Sequence, residues 1–194
     1  MTQLEMIGAK VGIADLGQYG TKGAFPIDDD KIVTSTNMKA SAYTIAAQPT
    51  APCLLSVLAT AVGTADTMGT LAVVGSCGGV AVTETITPVA GTTVYSTKEY
   101  DTITSITGAG WVIDAGNGND TIKIGVADIV AGSGYYFTKL QIVTEAVVAR
   151  QTNVSGFSVA ELSDFTALPV GVYPVKCRQI ALTSGTGILS LFKE

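Results

Sequence analysis

Residues 79–87 read Gly-Val-Ala-Val-Thr-Glu-Thr-Ile-Thr. Val80, Val82 and Ile86 fall on one parity, and Ala81, Thr83, Thr85 and Thr87 on the other. Strict alternation of branched apolar and small polar residues is the pattern of a half-buried strand. The same period recurs outward along the chain. Ile122, Ile124 and Val126 alternate with Thr121, Lys123 and Gly125. Leu140, Ile142 and Val148 share a parity, and so do Val172, Ile180 and Leu182. Leu54 to Val62 is apolar on both parities, as expected for a central strand covered on two faces.

Turn signals separate these runs at the spacing of a sandwich or barrel. They include Gly63–Gly69, Gly78-Gly79, Ala90-Gly91, Gly108–Gly110, Gly116–Asn119 and Gly132–Gly134. Asn117-Gly118 is a hairpin signal because both residues tolerate positive φ. No long stretch carries a capped helical period. One short helical turn is expected over Ser158–Phe165. The fold class read from the pattern is all-β, an antiparallel β-sandwich with a jelly-roll as one form of it, preceded by an extended N-terminal arm.

Three segments follow from composition. Residues 1–39 form the arm, with mixed charges and an irregular path set by Gly17, Gly20, Gly23 and Pro26. Residues 40–150 form the sandwich body. Residues 151–194 supply strands that close the sandwich or form a small module of their own. Length alone gives one domain or two small ones. Area scaling allows about 70% of the unfolded surface to be buried, enough for a core without disulfides or metals.

Charge is scarce. Of 194 residues only 14% are charged, against about 25% in ordinary soluble domains. Between Ala40 and Thr97 the charged residues are Asp66 and Glu84 alone. A weakly charged surface points to a protein that works packed against partners. The net charge of −5, with Arg150 and Arg178 the two arginines, argues against nucleic acid as one of them. The uncharged stretch Ala40–Ala65 is broken by Gln48, Pro49 and Pro52, so no membrane helix is expected. Met1–Gly20 lacks the basic start and apolar run of a signal peptide.

The chain has no histidine. That excludes Ser-His-Asp and Cys-His catalysis, His-ligated zinc and an imidazole proton shuttle. No phosphate-loop motif occurs, and no enzyme activity or cofactor is expected. Cys53, Cys77 and Cys177 are widely spaced and odd in number, and read as small buried hydrophobes of a protein made in a reducing cytoplasm. Asp28, Asp29 and Asp30 are weak candidates for a cation. Successive residues of an extended chain point in different directions, so a solvated acidic loop is the plainer reading. Asp120, in Gly116-Asn117-Gly118-Asn119-Asp120, resembles one copy of a calcium turn that works only in arrays. Glu84 shares the parity of Val80, Val82 and Ile86, and is expected to make a structural ion pair, with Lys98, Lys123 and Lys176 as candidate partners, or to serve as an edge charge that blocks unwanted strand pairing. Trp111, Tyr135 and Tyr136 are candidates for ligand stacking, the last two in Gly132-Ser-Gly-Tyr-Tyr-Phe137.

Two segments resemble proteins of tailed-phage particles. In Pro52–Val126, Gly79, Thr83, Glu84 and Thr85, then Lys98, then Ser105 and Ile106, match a module whose strands read G-x-A-V-T-E-T-I, T-T-V-x-S-T-K-x-Y/F and T-S-I-T. In the C-terminal part, Leu168-Pro-Val-Gly-Val-Tyr-Pro-Val175 through Ile180 to Gly187, with Thr183-Ser-Gly-Thr186 inside it, and Leu191 are similar to the end of phage head-spike base and related small virion proteins. The resemblance implies a β-sandwich virion structural protein, assembled in the host cytoplasm. Its partners would be the major capsid protein or other virion proteins, together with further copies of itself. It would serve as a capsid decoration or a head spike or fibre anchor. The alternative is a tail, neck or fibre protein that binds a receptor or carbohydrate through the aromatic residues above.

Overall fold

The computed structural model describes residues 18–61, 68–112, 120–131, 135–154, 162 and 165–193. They form β1 (Gln18–Ala24), β2 (Asp28–Asn37), β3 (Leu55–Thr60), β4 (Thr70–Cys77), β5 (Val80–Ile86), β6 (Thr93–Tyr95), β7 (Thr102–Ala109), β8 (Thr121–Val126), β9 (Ile129–Val130), β10 (Tyr135–Asn153) and β11 (Gly171–Lys193). Every strand pair is antiparallel. The protein is all-β, as the alternation predicts. The turn expected over Ser158–Phe165 lies largely outside the described residues. At its end the Phe165 amide donates to the Leu162 carbonyl, 3.3 Å away.

The chain divides into two compact units. A central unit spans Ile27–Asp128, and a terminal unit combines Met1–Pro26 with Ile129–Glu194. These limits differ from the expected segments 1–39, 40–150 and 151–194. The supposed arm contributes a strand to each unit. β1 pairs with β11, and β2 pairs with β8. Clustered charges hid the strand signal of Lys31-Ile-Val-Thr-Ser-Thr36, in which Ile32 and Val33 are both buried.

The central unit has two sheets, ordered β2-β8-β3-β6 and β5-β4-β7. Leu55, Val57 and Ala59 of β3 are fully buried, whereas Leu58 on the other parity is half-buried and Thr60 exposed. β3 is interior by its pairing with β8 and β6, and it is not covered equally on two faces as the apolar run Leu54–Val62 predicts. Ile122, Ile124, Leu71, Val73 and Ile106 are buried from neighbouring strands of both sheets. Residues 41–48 bind the two sheets together. The Gly108 amide donates to Ser41 O at 3.0 Å, and the Tyr43 amide to Ile106 O at 3.0 Å. The Gln48 side chain then mimics a strand. Its Oε1 accepts from the Ile103 amide and its Nε2 donates to the Ile103 carbonyl, at 2.7 and 3.0 Å. On the other side the Ala46 amide reaches Ile32 O of β2 at 2.8 Å. β4 and β5 are joined by Gly78-Gly79, both at positive φ (59° and 77°). This is the two-residue turn whose twist suits a hairpin.

The terminal unit is a coiled ribbon. β10 and β11 pair along most of their length, from Tyr135↔Lys193 to Asn153↔Cys177. β11 then bends, so that its first residues return to the opposite edge of β10. Phe137 is therefore opposite both Leu191 and Cys177, and Gln141 opposite both Ile188 and Val172. With both edges of residues 137–142 paired, this part of β10 has no open edge. Phe137, Leu140, Ile142, Val175, Cys177 and Leu189 fill the interior. The bend reverses which parity faces inward. Val175 and Cys177 are buried before it, Ile180 and Leu182 after it. The shared parity of Val172, Ile180 and Leu182 therefore does not correspond to one face, and Val172 is 61% exposed.

Candidate functional site

The outer face of the β5-β4-β7 sheet is assembled from rows of directly paired residues. Thr85, Ala72 and Thr107 form one row, and Thr83, Val74 and Ser105 the next. Their neighbours on the same strands, among them Leu71, Val73 and Ile106, point inward and are buried. Side chains alternate across the sheet, so the buried set fixes the exposed set. The exposed set carries no charge, and Val74 at its centre is 37% exposed. A face of methyl and hydroxyl groups can be covered without stripping water from an ion, which is the costly part of burying a polar surface.

Glu84 lies at the edge of this sheet and holds a neighbouring turn. Its Oε1 accepts from the amide and the hydroxyl of Thr97, at 2.8 and 2.9 Å, and its Oε2 accepts from the Lys98 amide at 3.2 Å. Lys98 Nζ in turn donates to the Thr83 carbonyl at 2.6 Å. The T-E-T and S-T-K motifs are thus two halves of one clamp. Lys98, one of the expected partners of Glu84, meets it through its amide, while its ammonium covers a carbonyl of β5. At the far end of the hairpin, Asp101 accepts from Ser76 Oγ at 3.2 Å and from the Gly78 amide at 2.6 Å. The glycine turn is therefore held by a carboxylate.

Asp28, Asp29 and Asp30 do not diverge as an extended chain would make them. A register shift between Asp28 and Val33 bulges the start of β2. One carboxylate oxygen from each then lies within 4.8 Å of the others. All three are exposed, and Lys123 pairs with Asp29. The Asp30 carboxyl is held above its ordinary value, first by a hydrogen bond with Asp28, then by burial and the charges of Asp28 and Asp29, with Lys123 opposing. A raised carboxyl pKa in the folded state favours folding below the unfolded value, and this contribution is lost as pH rises through the folded one. Asp30→Asn should remove that dependence. Urea titrations between about pH 3 and pH 7 should show the wild type losing ground to the variant as pH rises. Asp120 stands apart from the bulge. It is 1% exposed, and its carbonyl accepts from the Met38 amide at 3.1 Å.

The aromatic candidates belong to different units. Trp111 turns its indole nitrogen inward toward Gly108. A Cβ on Gly108 would lie 2.4 Å from that nitrogen and 2.8 Å from the Tyr43 hydroxyl. Tyr136 belongs to the other unit, where Lys176 Nζ sits 5.0 Å from its ring centre and Phe192 packs at 6.5 Å. Tyr135 opens β10, opposite Lys193. A cleft of about 290 Å³ in the central unit is lined by Val33, Thr34, Thr36, Ala40, Ala42, Tyr43 and Thr44. It was not legible beforehand, since it lies between β2 and the 41–48 segment, whose path the sequence does not state.

None of the three cysteines forms a disulfide. Burial pushes the thiols of Cys53 and Cys177 up to about 12, and Cys77 is half-buried. Since the thiolate is the reactive form, a thiol reagent at mildly alkaline pH should modify Cys77 well before the other two. All three should react once the chain is unfolded in urea.

A scan against protein-family models, a search of curated proteins and a search of solved structures found no match. Among the described residues no helix is long and apolar enough to cross a membrane.

Proposed function

We propose that this chain is a non-enzymatic structural subunit of a tailed-phage particle. It binds the capsid surface as a decoration protein or as the anchor of a head spike or fibre, and it self-associates. The observation that carries this reading is the uncharged outer face of the β5-β4-β7 sheet, centred on Val74. The residues that resemble virion proteins build this sheet and its edge clamp. Thr83 and Ser105 stand on the face itself, while Glu84 and Lys98 hold its rim. Such a face suits a subunit repeated many times on a shell, where weak contacts add by multiplicity.

The test is co-sedimentation of the purified chain with capsid shells. Wild type should saturate a fixed number of sites. Val74→Glu and Thr85→Lys, which place a charge on the exposed face and leave the core intact, should abolish binding while the chain stays folded by circular dichroism. Glycan-array binding that is lost on substitution of Tyr136 or Trp111, with no binding to shells, would favour the receptor-binding alternative instead.

A further inference from the structure

The terminal unit has a second exposed face, different in kind. Residues 137–142 of β10 lie between the two ends of β11, and their inward neighbours are the buried core. The outward side chains are therefore fixed by pairing. Gln141 is flanked by Ile188 and Val172, and Lys139 by the exposed Pro174 on one side and the buried Ser190 on the other. Val172 is 61% exposed, Val170 68% and Ile188 39%. Lys176 stands on the same face over Tyr136. The three paired segments place Lys139 and Lys176 there, and no acidic residue. The face is thus apolar with a cationic edge.

Charge is distributed unevenly between the units. Ile27–Asp128 holds ten of the sixteen acidic and four of the eleven basic residues, a balance of −6, and the remaining residues balance at +1. The densest acidic point is the Asp28–Asp30 bulge. There three exposed carboxylates converge and Lys123 pairs with one of them. Face-to-face pairing of two terminal units would bring like charges together. An acidic partner surface would not.

We infer that the outer face of the terminal unit, with Lys139 and Lys176, docks the Asp28–Asp30 bulge of a second copy of this chain. This deepens the self-association in the proposed function and rests on that part of it. The two surfaces differ, so the contact is head-to-tail, and it builds rings or rows according to whether its rotation closes. Apolar side chains at the centre supply buried area, and the charges fix register and partner.

The experiment is a charge exchange read by analytical ultracentrifugation of the full chain. Lys139→Glu with Lys176→Glu, and separately Asp28→Lys with Asp30→Lys, should each weaken association by about tenfold or more. An equimolar mixture of the two variants should recover it, since each unlike pair of surfaces is again complementary. Wild-type association should also weaken with added salt, as expected for exposed charges. Circular dichroism checks that each variant folds, and Val172→Lys provides a second disruption that leaves Lys139, Lys176 and the aspartates in place. A wild type that associates but ignores every one of these changes, or variants that fail to recover on mixing, would overturn the docking surface and leave self-association standing. A wild type that stays monomeric at all concentrations would overturn both. Binding to shells is measured separately and is not decided by this result.

Discussion

Gly185→Ala is expected to destabilise the terminal unit by about 2–5 kcal/mol, combining the cost of a left-handed backbone with that of overpacking. Gly185 adopts φ 77°, a region that residues with a Cβ rarely enter. The added Cβ would also lie 2.2 Å from the Glu145 carbonyl oxygen and 2.6 Å from both Cα and Cβ of Ala146. Neither obstacle is a flexible side chain, so the backbone of one strand must move. The site matters because the β10-β11 ribbon bends there. Register shifts run from Ile142 to Val148, and Thr144 accepts the Thr186 amide at 2.8 Å within the bend. Ala146 is locked on its other side to Leu168 by two backbone bonds of 2.7 and 3.0 Å, so a displaced Ala146 pulls on a second segment. Urea unfolding followed by far-ultraviolet circular dichroism should show the loss. Thr183→Ala, at an exposed neighbour in the same strand, should change stability by less than about 0.5 kcal/mol.

The earlier bend of β11, between Cys177 and Ile180, shows where a sequence of this kind is readable and where it is not. Alternation is a local property, and it identifies strands such as Val80–Ile86 and Thr121–Val126 because each lies flat in a single sheet. A strand that turns a corner keeps its alternation but exchanges its faces. Val172 and Leu182 therefore share a parity while one is exposed and the other buried. The count of charges locates the uncharged β5-β4-β7 face, because a face is made of every second residue and those residues are Thr, Ser, Ala and Val. It does not locate the Asp28–Asp30 convergence. That depends on one bulge in β2, and a bulge is set by what the opposite strand can accept. Glu84 is a clearer case. Its parity marks it as unusual, and its actual partners are two backbone amides and a hydroxyl that no spacing rule ties to it. The coarse division by composition fails for a related reason. A charged segment reads as an arm, yet β1 and β2 each complete a sheet with strands more than eighty residues away in the chain.

The residue opposite that bulge is Gly125, and Gly125→Ala should cost the central unit about 1–3 kcal/mol or somewhat more, the range for forcing an extra carbon into filled space. A Cβ at this position would fall 2.0 Å from the Asp28 carbonyl oxygen and 2.4 Å from both Cα and the carbonyl carbon of Asp29. β8 cannot retreat, because Gly125 is paired on its other edge with Ser56 of β3 and lies between the buried Ile124 and Val126. The bulge must then lift. Two consequences separate this from an ordinary packing defect. Trp111 is the single tryptophan and lies in the central unit, so its fluorescence should report the earlier unfolding directly. Lifting the bulge should also separate the three carboxylates, relax the hydrogen bond between Asp28 and Asp30, and return the Asp30 carboxyl toward its ordinary value. Carboxyl titration by nuclear magnetic resonance of the folded variant would show that movement. An Asp30 unchanged in a destabilised Gly125→Ala chain would mean that the convergence is held by β2 itself, and not by the absence of a side chain on β8.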